Sequence, residues 1–425
     1  MIQGHNAQRI DTADAWWRLA AAVLLMTLGG AGMYGVTVAL PVMQADFGVS
    51  RADASLPYTA TMVGFTLGGL LAGRLTDRFG VMRPVMIGAI CLFAGLLLAS
   101  HAQSLWQLVV VQGLVIGFFG TSSTFAPLIA DISHWFIRYR GLAVAICASG
   151  NYLSGTVWPP LIEYWMRMYG WRTAYQFTAL ICLVCMLPLA WCLRRAAPIG
   201  LQPQHAQSST QIHALSTSRS DARPLDLSPR TLQWILLFAG LTCCIAMSMP
   251  QVHIVAYCSD LGFATARGAE MLALMLGAGI VSRMASGWIA DRIGALKTLL
   301  VGSALQTIAL ALFLPFESLT ALYVASGLFG LFQGGIVPMY ALIVRDYFPA
   351  SEAGRRVSMV LTATVFGMAI GGWMSGVVFD LSGSYTAAFI NGMCWNLIHL
   401  ALTAELLRRA RQIALRNTQS PAAMA

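Results

Sequence analysis

Gly73-Arg74-Leu75-Thr76-Asp77-Arg78-Phe79-Gly80 returns late in the chain as Gly287-Trp288-Ile289-Ala290-Asp291-Arg292-Ile293-Gly294, with Asp77 and Asp291 standing 214 residues apart. A second echo, Gly170-Trp171-Arg172-Thr173-Ala174 against Gly383-Ser384-Tyr385-Thr386-Ala387, has nearly the same offset. Both offsets are close to half of the 425 residues, so the repeat divides the whole chain. The sequence around the octets fixes the class of fold. It is 57% apolar and only 10% charged, against about 25% charged residues in an ordinary soluble protein. Such a chain cannot cover a water-facing surface with charge.

Working outward from the octets, apolar runs fall near 16–40, 55–73, 84–100, 105–130, 141–162 and 173–193, then 231–257, 268–290, 297–315, 319–344, 357–378 and 385–407. Each is long enough for a bilayer-spanning helix of about 20 residues. Lipid leaves no other way to satisfy the backbone, and no period-two alternation suggests a barrel. The expectation is an all-α integral membrane protein of twelve transmembrane helices in two six-helix bundles, 1–193 and 231–407. The polar stretch 194–230 reads as a flexible cytoplasmic linker and 408–425 as a cytoplasmic tail. With both termini cytoplasmic, 21 of the 26 basic residues fall inside, whereas Arg51, Arg167, Arg172 and Arg267 fall outside and Arg283 lies within span 8. That asymmetry sets the orientation in a cell (cytoplasmic or inner) membrane. The first apolar run is too long for the core of a cleavable signal peptide.

Several classes of function drop out. The single lysine, Lys297, stands in Gly294-Ala295-Leu296-Lys297-Thr298, which lacks the glycine pattern of a phosphate-binding loop. No nucleotide site is expected, and the net charge of +9 is too scattered to serve nucleic acid. Cys182 and Cys185 have C-x-x-C spacing without a second ligand pair, so the nine cysteines read as small buried hydrophobes. No metal, cofactor or clustered catalytic set is expected, hence no enzyme.

Arg283 is the most informative residue. It lies about seven positions before the inner end of span 8, roughly 10 Å into the membrane. An arginine there costs at least ~2.5 kcal/mol unless paired or wetted. Gly279 and Gly287, one turn away, offer no carboxylate, and no acid stands near the middle of any span. The remaining partners are a carboxylate on the cargo, the interface reached by snorkelling, or Asp131 from another helix. A guanidinium grips a carboxylate through two parallel hydrogen bonds, fixing orientation as well as charge. His253 and Tyr257 share a face of span 7. His253 can bond a substrate, accept a coupling proton or simply pack.

The octets, of the form Gly73-x-Leu75-x-Asp77-Arg78-x-Gly80, resemble the signature between spans 2 and 3 of the major facilitator superfamily. Ile289 replaces the leucine in the second copy, and Val81-Met82 stands where a basic pair is usual. Three further stretches are similar to the bacterial monocarboxylate-transporter-like group, more distantly to oxalate/formate exchangers: Pro250-Gln251-Val252-His253-Ile254-Val255-Ala256-Tyr257 before Asp260-Leu261-Gly262, Arg283-x-x-x-Gly287-x-x-x-Asp291, and Trp135-Phe136-x-x-x-Arg140-Gly141-Leu142-Ala143. The resemblance implies that Arg283 anchors a substrate carboxylate. It implies a central cavity lined by Tyr34, Asn151, Tyr152, Gln333, Phe366 and Trp373. It also implies gating contacts between halves at the inner end, Asp77 with Arg355 and Arg356, Asp291 with Arg140, and Arg78 and Arg292 beside them. Oxalate-type carriers have a further lysine in span 11, absent here, so one cation suits one carboxylate. Gly279 replaces an aspartate usual in proton-coupled relatives, which leaves a co-transported proton open.

The expected function is secondary active transport of small organic anions, foremost monocarboxylates, by alternating access, in a lipid bilayer and as a monomer. A proton-driven exporter of amphipathic compounds is the alternative, and it would be indifferent to Arg283. A non-transporting membrane receptor or assembly subunit is a second alternative, for which the linker gives no folded extramembrane domain.

Overall fold

The computed structural model describes residues 11–195 and 224–419, and among these there is no strand. Most of the expected 194–230 linker lies outside the described residues, as does the end of the 408–425 tail. Arg9, Arg219 and Arg223 of the charge asymmetry are outside them as well.

Twelve helical rods run back and forth. In the first half, span 1 is Ala13–Gly29 with Ala31–Phe47, span 2 Arg51–Phe79 and span 3 Met82–Ser100. Span 4 runs from Leu105 to Trp135 in four segments, span 5 is Arg140–Tyr169 and span 6 Trp171–Cys192. In the second half, span 7 is Pro229–Asp260, span 8 Thr265–Ile293 and span 9 Ala295–Leu312. Span 10 is Leu319–Gln333 with Ile336–Tyr347, span 11 Ala350–Ser382 and span 12 Tyr385–Gln419. Ten of the rods are long and apolar enough to cross a membrane by length and composition. The other two, spans 2 and 5, carry more charged and small residues and pack between the halves. Leu67, Leu70, Ile87, Val184, Val281, Val301 and Ile308 stand exposed on the outside, an apolar belt that water would not tolerate.

Most rods outrun their apolar runs. Span 2 begins at Arg51 rather than 55 because Ser50 caps it, its hydroxyl accepting the Asp53 N–H at 3.1 Å. The octets end their helices on Gly80 and Gly294, at φ 77° and 90°, where a side chain would be strained. We call the end of the bundle bearing these octet turns basal and the opposite end distal.

Glycine sets how closely the rods meet. A Cβ on Gly64 or Gly68 of span 2 would strike the Gly113 or Phe118 carbonyl of span 4. In the second half, a Cβ on Gly330 or Gly334 of span 10 would strike the Met275 or Gly279 carbonyl of span 8. The repeat thus conserves a small-residue seam while exchanging which rod supplies the glycines. It also places two irregularities in register. Span 4 turns π-helical over Val111–Gly120, and span 10 breaks at Gly334, 214 residues beyond Gly120.

The halves meet along spans 2 and 11, spans 5 and 8, and the second segment of span 1 with span 7. Inside the first half, Arg18 grips Asp131 through two bonds of 2.7 and 2.9 Å and reaches the Leu193 carbonyl. Both side chains are under 8% exposed, with the guanidinium 4.5 Å from the Trp135 ring centre. Removing one partner strands the other charge in the protein interior. Asp131→Leu should lower stability by about 3–5 kcal/mol, and adding Arg18→Met should recover most of it. Thermal unfolding of the purified single and double variants in detergent measures this.

Candidate functional site

Arg283 projects from span 8 across the boundary between the halves. Its Nη1 donates to the Ala148 carbonyl of span 5 at 3.2 Å, and its Cζ lies 4.3 Å from the centre of the Tyr152 ring. Its Nε is buried with no partner. No carboxylate among the described residues pairs with it. Asp131, the one protein acid considered as a partner, is held by Arg18. The side chain is neither snorkelled into an interface nor neutralised.

Tyrosines gather around it. Tyr152 packs where a Cβ on Gly279 would lie, so the glycine and the ring occupy one another's space across the boundary. Tyr34 of span 1 lies against Gly155, in electrostatic reach of Tyr152, Tyr58 and Arg283. Tyr58 of span 2 was not foreseen. It stands two turns after Arg51 on the same helix face, faces Gly372 of span 11 and is 4% exposed. The arrangement is one guanidinium, unmatched by a carboxylate among the described residues, beside the phenols of Tyr152 and Tyr34, able to bind an anion at one end and an apolar body along the rings.

The structure does not bring the other expected lining residues into this group. Asn151 is turned to the Gly30 break of span 1. Gln333 is fully buried with both amide atoms unpartnered, beside Gly334 where span 10 meets span 8. Gly367 and Gly371 of span 11 face span 7, while Gly372 and Gly376 face span 2. Trp373 falls off both faces and is 41% exposed. Phe366, two turns earlier, shares its stripe.

His253 and Tyr257 belong to a distal cluster instead. His253 has no exposure: Nε2 lies 2.7 Å from the Gly372 carbonyl and Nδ1 3.2 Å from the Tyr385 hydroxyl. Both ring nitrogens are engaged, so neither is free for a substrate in this state. Tyr257 packs edge-on against Tyr385 and Phe389. Arg51 heads the cluster. Read from sequence as a loop charge, it is 6% exposed. It bonds both oxygens of Asp260 at 3.0 Å and donates to the Tyr385 hydroxyl at 2.9 Å, its guanidinium lying 4.8 Å from the Phe379 ring centre.

Asp380 completes this distal latch. Its carboxylate accepts the Arg51 and Ala52 N–H groups at 2.9 and 2.8 Å, capping the positive start of span 2 from the opposite half. The repeat-related seam carries a lighter counterpart, Thr265 donating to Glu163 at 2.9 Å.

The basal end has nothing comparable. Asp77, Arg355 and Asp291 are exposed, Arg78 lies over Phe79 and Arg292 over Trp288. Arg140 reaches only Ser133 in its own half, and Arg356 pairs with Glu352 and Gln233 of the second half. None of the expected contacts between Asp77 and Arg355 or Arg356, or between Asp291 and Arg140, is present. The halves are joined distally, and a bundle closed at one end holds these basal groups apart.

The family model described as Major Facilitator Superfamily matches residues 22–320 and 271–422. Monocarboxylate transporter 13 of Bos taurus is 28% identical over 391 residues, covering 90% of this chain and 88% of that one. MFS-type transporter opdF of Penicillium oxalicum is 24% identical over 405 residues, 93% of this chain and 91% of its own. A crystal structure of the peptide transporter POT in complex with sulfate superposes with TM-score 0.70 at 14% identity, over 96% of this chain and 99% of that one. Two six-helix halves sharing one signature octet are thus joined by a family match over nearly the full chain: the protein belongs to the Major Facilitator Superfamily and is a multi-pass membrane transporter, not an enzyme.

Proposed function

We propose that the protein moves small monocarboxylates across the cytoplasmic membrane by alternating access, with both termini inside and the basal end facing the cytoplasm. The observation that carries this is the Arg283 guanidinium, held between the halves without a counter-charge among the described residues and with its Nε unpartnered there. A carboxylate arriving from either side supplies the missing charge and the missing acceptor together. One cation matches one carboxylate, whereas a dicarboxylate would carry an unpaired anion into low dielectric. The naming of mammalian relatives as monocarboxylate transporters points the same way.

In this reading the structure is the inward-facing state. The distal latch on Arg51 closes the outside, and Tyr34, Tyr58 and Tyr152 enclose the apolar part of the substrate. Outward opening breaks the latch and brings the basal aspartates and arginines together, Asp77 and Arg78 toward Arg355 and Arg356, Asp291 and Arg292 toward Arg140. Each set exists in only one state, so each biases the equilibrium by its own differential contacts.

Uptake of labelled monocarboxylates into proteoliposomes, with and without a pH gradient, tests the assignment and reads the coupling. Arg283→Gln should weaken monocarboxylate uptake by roughly 30-fold or more, the cost of removing a buried charge partner. Arg283→Lys should recover only part, because an ammonium cannot form the paired bonds. Uptake unchanged in Arg283→Gln, together with transport of uncharged amphipathic compounds, would establish the exporter instead.

A separate measurement addresses the latch. With spin labels at positions 53 and 382, Arg51→Gln should shift the distance distribution toward longer separations. An unaltered distribution would show that Arg51 does not hold the distal end shut.

A further inference from the structure

Span 12 is longer than a bilayer needs. Tyr385–Gln419 is 35 residues, about 50 Å of helix against a hydrocarbon core of about 30 Å. Its last turns therefore leave the oil at the basal end, beside the start of span 9. There the two helices frame a cleft of about 310 Å³, open on one side. Its walls are Leu300 of span 9 and Ala404, Leu407 and Leu415 of span 12, and Arg408 and Arg411 stand over it.

Among the described residues the charge at this rim is not balanced. Glu405 is shared by Arg408 and Arg409, at 2.8 Å from each. Arg416 is taken by Asp226, 3.0 Å away. Arg411 pairs with no carboxylate among the described residues, and Lys297, one turn before Leu300, is exposed and likewise without one. Four arginines and a lysine thus face two carboxylates at the basal ends of spans 9 and 12, and basic clusters just outside a membrane-spanning helix attract anionic phospholipid. An apolar trough crowned by guanidinium groups that outnumber their carboxylates, with Arg411 unmatched among the described residues, has the polarity of a phospholipid, with acyl chain below and phosphodiester above.

We propose that this cleft is a binding site for one anionic phospholipid of the basal leaflet, its phosphate held by Arg408 and Arg411 and an acyl chain laid along Leu300, Ala404 and Leu407. The site lies between spans 9 and 12 of the second half and shares no residue with the surroundings of Arg283. It ties the start of span 9 to the extended end of span 12 through a ligand drawn from the membrane itself.

The full chain, purified in a mild detergent, is titrated with phosphatidylglycerol, with phosphatidylcholine of the same acyl chains, or with inorganic phosphate. The unfolding midpoint and the lipid retained in native mass spectrometry are read together. Phosphatidylglycerol should raise the midpoint and remain bound at one molecule per chain, and the other two probes should do neither. Arg408→Gln with Arg411→Gln should weaken the phosphatidylglycerol effect roughly 30-fold, on the scale of about 1 kcal/mol per basic residue at a membrane surface. Leu300→Trp fills the trough with the charges intact and should abolish retention as well, and both variants should keep the wild-type midpoint in phosphatidylcholine. Equal retention of the two lipids, an equal response to inorganic phosphate, or full retention by Leu300→Trp would overturn the proposal.

Discussion

In hydrocarbon an arginine has no solvent to fall back on, so its counter-charge must come from the protein or from something the protein binds. Three buried or half-buried arginines meet this constraint in three ways. Arg18 is matched permanently, clasped by Asp131 within one half. Arg51 is matched across the boundary by Asp260, so its satisfaction depends on how the halves sit. Arg283 has, among the described residues, a carbonyl and an aromatic face. Rigid half, movable boundary and receptive centre follow from where the carboxylates stand.

The two interfaces between halves divide the labour unequally. Along spans 2 and 11 the distal end is bound by a bidentate ion pair, a phenol and a carboxylate seated on a helix start. Along spans 5 and 8 it has one hydroxyl bond to Glu163, and deeper in, the Arg283 contact with Ala148. The seam that carries Arg283 is therefore the more weakly tied of the two. The duplicated origin gives both seams the same geometry, and single residues such as Arg51 and Arg283 have differentiated them.

The architecture was legible because lipid restricts the choices: long apolar runs can only be helices, and the octet repeat counts them into two sixes. Arg283 was legible for the same reason, an expensive residue with no acid in its own sequence neighbourhood. Arg51 was not, since an apolar run starting near 55 leaves it in a loop. The sign of its burial was local, Ser50 and Asp53 capping the helix at 51. His253 and Tyr257 were placed on one face of span 7, but their engagement with Gly372 and Tyr385 was not legible, because helical spacing says which side of a rod a residue occupies and not which end of the bundle is closed. The same limit holds for Phe366 and Trp373: in a membrane protein an aromatic facing lipid looks, in sequence, like one facing the interior.

The interlock of Tyr152 with Gly279 also constrains descent. An acid at position 279, where many proton-coupled relatives are expected to have one, would collide with the phenol ring unless residue 152 shrank first. The two sites are epistatic: acquiring a proton-binding carboxylate there takes an ordered pair of substitutions, and the intermediate lacks both the acid and the aromatic platform under the guanidinium. A lineage with the tyrosine in place is thereby steered toward other solutions for energising its cargo.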